Sequence, residues 1–428
     1  MQAFLRMRAS DSHADATFRP KNWREKILRL YPNGSVSLTA LTALMKSSST
    51  DDPEFYWFDK ALPTQAAAVT GVYTNAICTA AYTSGGVAGD TIYVTGTEAT
   101  TGNSEFRVGH TVMLSYTVDP TMRVVGKVVS SSKVSTTCTL GIKLLEADDN
   151  SSSYDLSNAD RVLVIGNMNP EGSQMPDSIS YDPTKHYNLT QIFRTSLSLT
   201  RTRMRTKVRY GSTTYQEAKR DALELHGIEM EKSWLWGVMY EGVGTNGQPE
   251  RSTGGLLSFI PTANISDYRS DTDFTGKDWL TGGKDWLNKW LELLFRYGSR
   301  NRTAYVGSET VLGINKLVEN LGFFSFTDKT TSYGIQIKEW ITPFGNIDMY
   351  IHPLFSYETQ WRNAMLLFDP SNLVYRYIDD TFFQKDDRLK DGTWVSLDGI
   401  VEGFLTEAGL EIHYPETMML LTGYNRDA

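Results

Sequence analysis

Histidine is the commonest carrier of protons near neutral pH. This chain has six: His13, His110, His186, His226, His352 and His413. They are scattered singly, with no HExxH, no pair at metal spacing and no GxSxG elbow, so the motifs of a zinc hydrolase and of a serine hydrolase are both missing. Asp379, Asp380, Asp386, Asp387 and Asp391 form the densest acidic cluster, but it lacks the DxDxDG spacing of a calcium loop and reads as a solvated loop. Cys78 and Cys138 have no CxxC spacing, which leaves free buried thiols rather than a disulfide framework or a structural zinc site. The run GVGTNGQPERSTGG contains neither GxxxxGK[ST] nor GxGxxG between a strand and a helix, so its glycines read as turns. No catalytic residue, metal site or cofactor can be named from these patterns.

The pattern that does carry physical consequence is cationic. Arg201, Arg203, Arg205, Lys207 and Arg209 alternate with Thr202, Met204, Thr206, Val208 and Tyr210, and in a strand all five charges would share one face. Neighbouring charges about 7 Å apart repel by roughly 0.6 kcal/mol per pair in water. Three settings fit: a solvated face, an acidic surface on a neighbouring subunit, and nucleic-acid phosphate. The formal charge of the whole chain is −8, so any nucleic-acid contact must be local.

The chain of 428 residues, 40% of them hydrophobic, is long enough for two to four domains with a real core. Its clearest element is the stretch Gly211 to Gly242, which has helical spacing, no proline, and Ser212, Thr213 and Thr214 as possible caps. Wound as one helix it would extend roughly 40 Å; a break at Gly227 is the alternative. Tyr215, Ala218, Ala222, Leu225, Ile228, Leu235, Trp236, Met239 and Tyr240 would form its apolar face. Upstream, residues 1–52 read as an arm with short helical pieces around Trp23 and Leu41 that need another surface to lie on. Phe55, Tyr56, Trp57 and Phe58 form an aromatic strand. Residues 66–167 are rich in threonine, serine, valine and glycine, with several short strands, and read as a small barrel or sandwich. It is flanked by extended segments at 53–65 and 168–211, as a β domain inserted at the tip of a hairpin arm would be. After the long helix, 212–255 with its glycine-rich exit, residues 256–395 mix helices and strands and 396–428 are strands, an α+β pattern. No apolar run approaches the length of a membrane span.

The order of these pieces resembles the major capsid proteins of tailed double-stranded DNA bacteriophages, the Hong Kong phage or Johnson fold. TDDPEFYWFDKALP is similar to the tract after the arm helices in one branch of that family, YQEAKRDALELHGIEMEKSWLWG to its spine helix and RSTGGLLSFI to the segment that follows. ITPFGNIDMYIHP, AMLLFDPSNLVYRYI and VEGFLTEAGLEIHYPETMMLLTGY are similar to its late strands. The resemblance implies an N-arm at 1–52, an extended loop at 53–65 and 168–211, a peripheral domain with the spine helix at 212–255, an α+β axial domain with some peripheral-domain strands at 256–395 and peripheral strands at 396–428, with 66–167 as an addition. It also implies a structural virion protein and not an enzyme, assembling with itself into hexamers and pentamers of an icosahedral shell around packaged DNA. Trp23, Phe55 to Phe58 and the cations Arg201 to Arg209 would then be intersubunit elements. A separate scaffolding protein and a portal are implied partners, with DNA on the inner face, no membrane, and assembly in the bacterial cytoplasm. The competing readings are a carbohydrate-active or carbohydrate-binding protein and another self-assembling phage protein such as a tail-tube subunit.

Overall fold

The computed structural model describes residues 41, 44–60, 62–98, 103–119, 121–148, 155–206, 214–321, 326–332, 335–385, 389–390, 393–394 and 398–425. The strands in chain order begin with β1 (Lys46–Ser49) and β2 (Glu54–Asp59). They continue with β3 (Ala66–Tyr73), β4 (Thr91–Glu98), β5 (His110–Ser115), β6 (Arg123–Val134), β7 (Thr137–Leu144) and β8 (Arg161–Asn167). Next come β9 (Thr184–Leu189), β10 (Gln191–Thr200), β11 (Tyr240–Val243), β12 (Pro249–Ser252), β13 (Ile265–Asp267), β14 (Asn301–Val306), β15 (Phe326–Ser332), β16 (Ile335–Ile341) and β17 (Asn346–Ile351). The last are β18 (Met365–Phe368), β19 (Leu373–Gln384), β20 (Leu389–Lys390), β21 (Thr393–Trp394), β22 (Gly399–Ile412) and β23 (Met419–Thr422). The chain divides into two compact units, Lys60–Thr184 and the remainder.

Within Lys60–Thr184, six strands close on themselves in the order β3-β4-β7-β6-β5-β8. The alternation of small polar and β-branched residues explains this: Ile92 and Val94, Val112 and Leu114, Val124 and Val128, and Leu140 and Ile142 all point inward and are buried. Close strand packing needs Gly126, where an added Cβ would come within 2.3 Å of Ile142 Cγ2. Glu98 of β4 and Lys133 of β6 pair at 2.7 Å with both side chains almost fully buried. Cys138 is buried as expected, and burial followed by the charge of Glu98 pushes its thiol up to about 12. Cys78 is only partly buried, since its strand-free loop offers no core to enter.

The second unit is built on two sheets. One runs β1-β19-β22-β10, and the other runs β13-β23-β18-β14-β17-β16-β15 with both parallel and antiparallel neighbours. A helix at Thr214–Trp236 packs on the first sheet, placing Met230, Trp234 and Leu235 against Phe193 of β10, Tyr375 of β19 and Leu410 of β22. This is the stretch read as the spine helix; it is continuous through Gly227 but ends at Trp236, so Met239 and Tyr240 of the expected apolar face lie beyond it and Tyr240 opens β11. Its buried face differs from the one expected from apolar periodicity: Leu225 is exposed, while His226 and Glu231 are buried. Both polar groups have partners inside. His226 Nδ1 lies 3.0 Å from Thr195 Oγ1 and Nε2 lies 2.8 Å from Thr406 Oγ1, and Glu231 accepts from the Leu41 amide at 2.9 Å. Trp279–Leu294 and Ser308–Leu321 form helices that cover the second sheet, burying Trp279, Trp286, Leu287, Ile314 and Leu317 among Ala304, Met349 and Leu367. The mix is α+β, as the sequence pattern implies.

Candidate subunit-interface surfaces

β2 and β9 form a two-stranded ladder of their own, and the period-two alternation of EFYWFD divides its aromatics between two faces. Phe55 and Trp57 turn inward and are buried. Trp57 stacks on Phe55 with centroids 6.1 Å apart and on His186 at 5.9 Å, and it meets Phe259 at 6.0 Å. These two of the four aromatic interface candidates therefore serve the interior of their own subunit. Tyr56 and Phe58 turn outward, 44% and 62% exposed. Tyr187 of β9 joins them, its ring 6.0 Å from that of Tyr56, and Lys185 Nζ sits 3.6 Å over the Tyr56 ring. A hydrogen bond to Glu54 raises the Tyr56 hydroxyl above its ordinary value. The result is an exposed aromatic face with a cation on it. Reading the sequence alone missed Tyr187 and Lys185, because nothing local in YDPTKHYNL says which strand it will pair with.

At the end of β2 the polar groups converge. Asp59 Oδ1 lies 3.2 Å from His413 Nδ1, Asp59 Oδ2 accepts from the Tyr414 amide at 2.9 Å, and His413 Nε2 lies 2.7 Å from Glu411 Oε1. Arg376 pairs with Glu411 and donates to Ser48 Oγ at 2.7 Å. The polar groups here satisfy one another: both ring nitrogens of His413 face a carboxylate, and Arg376 pairs with Glu411. Strands β1, β2, β19 and β22 are thereby tied together. Among the described residues no group of three His, Cys, Asp or Glu side chains is placed to hold a metal ion, and no helix is long and apolar enough to cross a membrane.

The cationic run departs from the expected strand. β10 ends at Thr200, whose Oγ1 accepts the Arg203 amide at 3.3 Å, and Arg201–Arg205 form a short helix. Threonine at that position supplies the capping oxygen that a helix start needs, and this overrides the alternation. In a helix Arg201 and Arg205 lie on one side and Arg203 on another, so the one-face array does not form there. All three remain exposed, with Arg201 Nε 2.9 Å from Asp398 Oδ1. Lys207, Arg209 and Trp23 lie outside the described residues.

Comparison with known proteins adds four matches. Residues 10–425 match the family described as SU10 major capsid protein. A major capsid protein of Pseudomonas phage PaMx41 is 26% identical over 343 residues, covering 78% of this chain and 73% of that protein. Among solved structures, the capsid of an empty GTA particle is similar at 9% identity with a TM-score of 0.46, covering 97% of each chain. A structure from Microbacterium phage Oxtober96 is similar at 8% identity with a TM-score of 0.42, covering 95% of this chain and 97% of that one.

Proposed function

The chain belongs to the SU10 major capsid protein family, and from that premise we propose that its copies meet through the exposed β2–β9 face and the cations of Arg201–Arg205 as they close into hexamers and pentamers. The protein is a structural component of a phage capsid shell and assembles with itself. Membership does not favour the carbohydrate or tail-tube readings, and a structural family leaves little place for an enzyme.

The observation that carries the contact proposal is the outward pair Tyr56 and Phe58 beside Tyr187 and Lys185. Three exposed aromatics on one ladder are costly to leave in water and are the residue types enriched at the centre of interfaces. Burying Phe58 alone contributes about 2 kcal/mol per contact, and closed symmetry repeats that contribution at every copy. Arg203 and Arg205 supply a steering charge for an acidic neighbour. The same reading includes a separate scaffolding protein, a portal, DNA on the inner face and assembly in the host cytoplasm.

Two variants test the proposal. Phe58→Asp, and Arg203→Glu combined with Arg205→Glu, leave the subunit folded by circular dichroism but give no closed shells in negative-stain electron microscopy. Normal shells from both variants would overturn it.

A further inference from the structure

β10 is the last strand of its sheet, and one of its edges has no strand beside it among the described residues. Its first residues lie near β12, where Gln191 Oε1 accepts from Ser252 Oγ and the Thr253 amide. From Phe193 onward β10 pairs with β22 on one side, and no strand lies along its other edge among the described residues. The spine helix covers one face, on which Phe193 and Leu197 are buried and Thr195 meets His226.

The direction of the backbone groups follows from two close approaches. A Cβ on Gly403 or on Gly399 of β22 would lie 2.6 Å from the carbonyl oxygens of Thr195 and Leu199 respectively. Those carbonyls therefore point into the β22 ladder. Because a residue in an antiparallel strand directs its N–H and C=O to the same side, the odd-numbered residues of β10 bond to β22. The even-numbered residues Ile192, Arg194, Ser196, Ser198 and Thr200 turn theirs to the open edge.

Soluble proteins guard such an edge with proline, lysine, a bulge or an inward charge. β10 has no proline, no lysine and no bulge in its register with β22, and its outward side chains are small or aliphatic apart from Arg194. We propose that a second copy of this chain lays an extended strand along the even-numbered edge of β10, so that the sheet is continued between subunits. The proposal rests on the self-assembly that family membership establishes, and it names a backbone contact distinct from the aromatic face. Side-chain chemistry on the incoming strand matters little, since the main chain supplies the bonds.

The test separates the N–H from the side chain. Ser196→Pro removes one outward donor, and edge positions of this kind accept proline without loss of the fold; Ser196→Ala keeps the donor and discards the hydroxyl. The expected result is that wild type and Ser196→Ala assemble, while Ser196→Pro remains a folded free subunit. Hydrogen exchange on intact wild-type chains provides the second reading. In free subunits the even-numbered amides of β10 exchange quickly, and in shells they slow by at least about tenfold. The amides of β14, which has strands on both sides, serve as the internal reference. Unchanged exchange of the even-numbered amides on assembly would overturn the proposal even if Ser196→Pro proved unable to fold, and so would shells from Ser196→Pro. Failure of the wild-type chain to assemble would instead count against the self-assembly premise.

Discussion

A carboxylate oxygen of Glu231, deep on the spine helix, accepts the backbone amide of Leu41 at 2.9 Å and lies 3.2 Å from His352 Nε2. Leu41, Glu231 and His352 are all buried. His352 Nδ1 accepts the Leu354 amide at 3.3 Å, so its proton sits on Nε2 and is donated to Glu231. The backbone at Leu41 is thus tied to the spine helix by a hydrogen bond inside the core.

Replacing that acceptor tests its weight. Glu231→Leu leaves two buried donors without partners and is expected to lower stability by about 2–4 kcal/mol. Glu231→Gln retains an acceptor oxygen and costs about 1 kcal/mol. Urea unfolding of the free subunit measures both, and an equal loss from the two variants would contradict the assignment.

His226 makes stability depend on pH. Burial holds its imidazole below the ordinary value of 6.5, with the charge of Glu229 opposing. The folded state then binds fewer protons than the unfolded state between the two values, so this contribution is complete above about pH 6.5 and is lost as pH falls toward the folded value. His226→Gln should flatten that slope between pH 7.5 and 5.5, where the wild type loses up to about 1.4 kcal/mol per pH unit from this group. Parallel urea midpoints across that range would count against it.

Gly237 ends the spine helix in a space that admits no side chain. A Cβ there would lie 2.5 Å from Ser233 O and 2.6 Å from Thr253 O. Its own carbonyl accepts the Gly255 amide at 2.9 Å, locking the glycine-rich exit against the last turn. Gly237→Ala should therefore destabilise by about 2–3 kcal/mol through overpacking, visible as a lowered Tm, whereas an unchanged Tm would mean the exit loop can move aside.

Much of this architecture was legible because burial in strands and helices leaves a period in the sequence. The threonine- and valine-rich strands of the barrel, the alternation in EFYWFD and the long helix all announce themselves that way. The face of the helix was less legible. Apolar counting favours Leu225 and passes over His226 and Glu231, which are inside only because Thr195, Thr406, His352 and the Leu41 amide arrive from distant segments. The run from Arg201 shows the opposite failure, in which a regular alternation predicts a strand and a single capping threonine ends it. Which of four adjacent aromatics faces outward follows from alternation only once β9 and the elements buried beneath them are known, and Asp59 with His413 is a pairing across most of the chain.

The closed ladder of β3 to β8 has a consequence for a protein made in many copies at once. Each of its strands already has two neighbours, so its backbone offers nothing for another chain to grow on. Among the described residues, folded subunits crowded together therefore present open strand edges outside this ladder and none within it, so a segment rich in β-structure adds mass to every subunit without adding an edge on which chains could tangle.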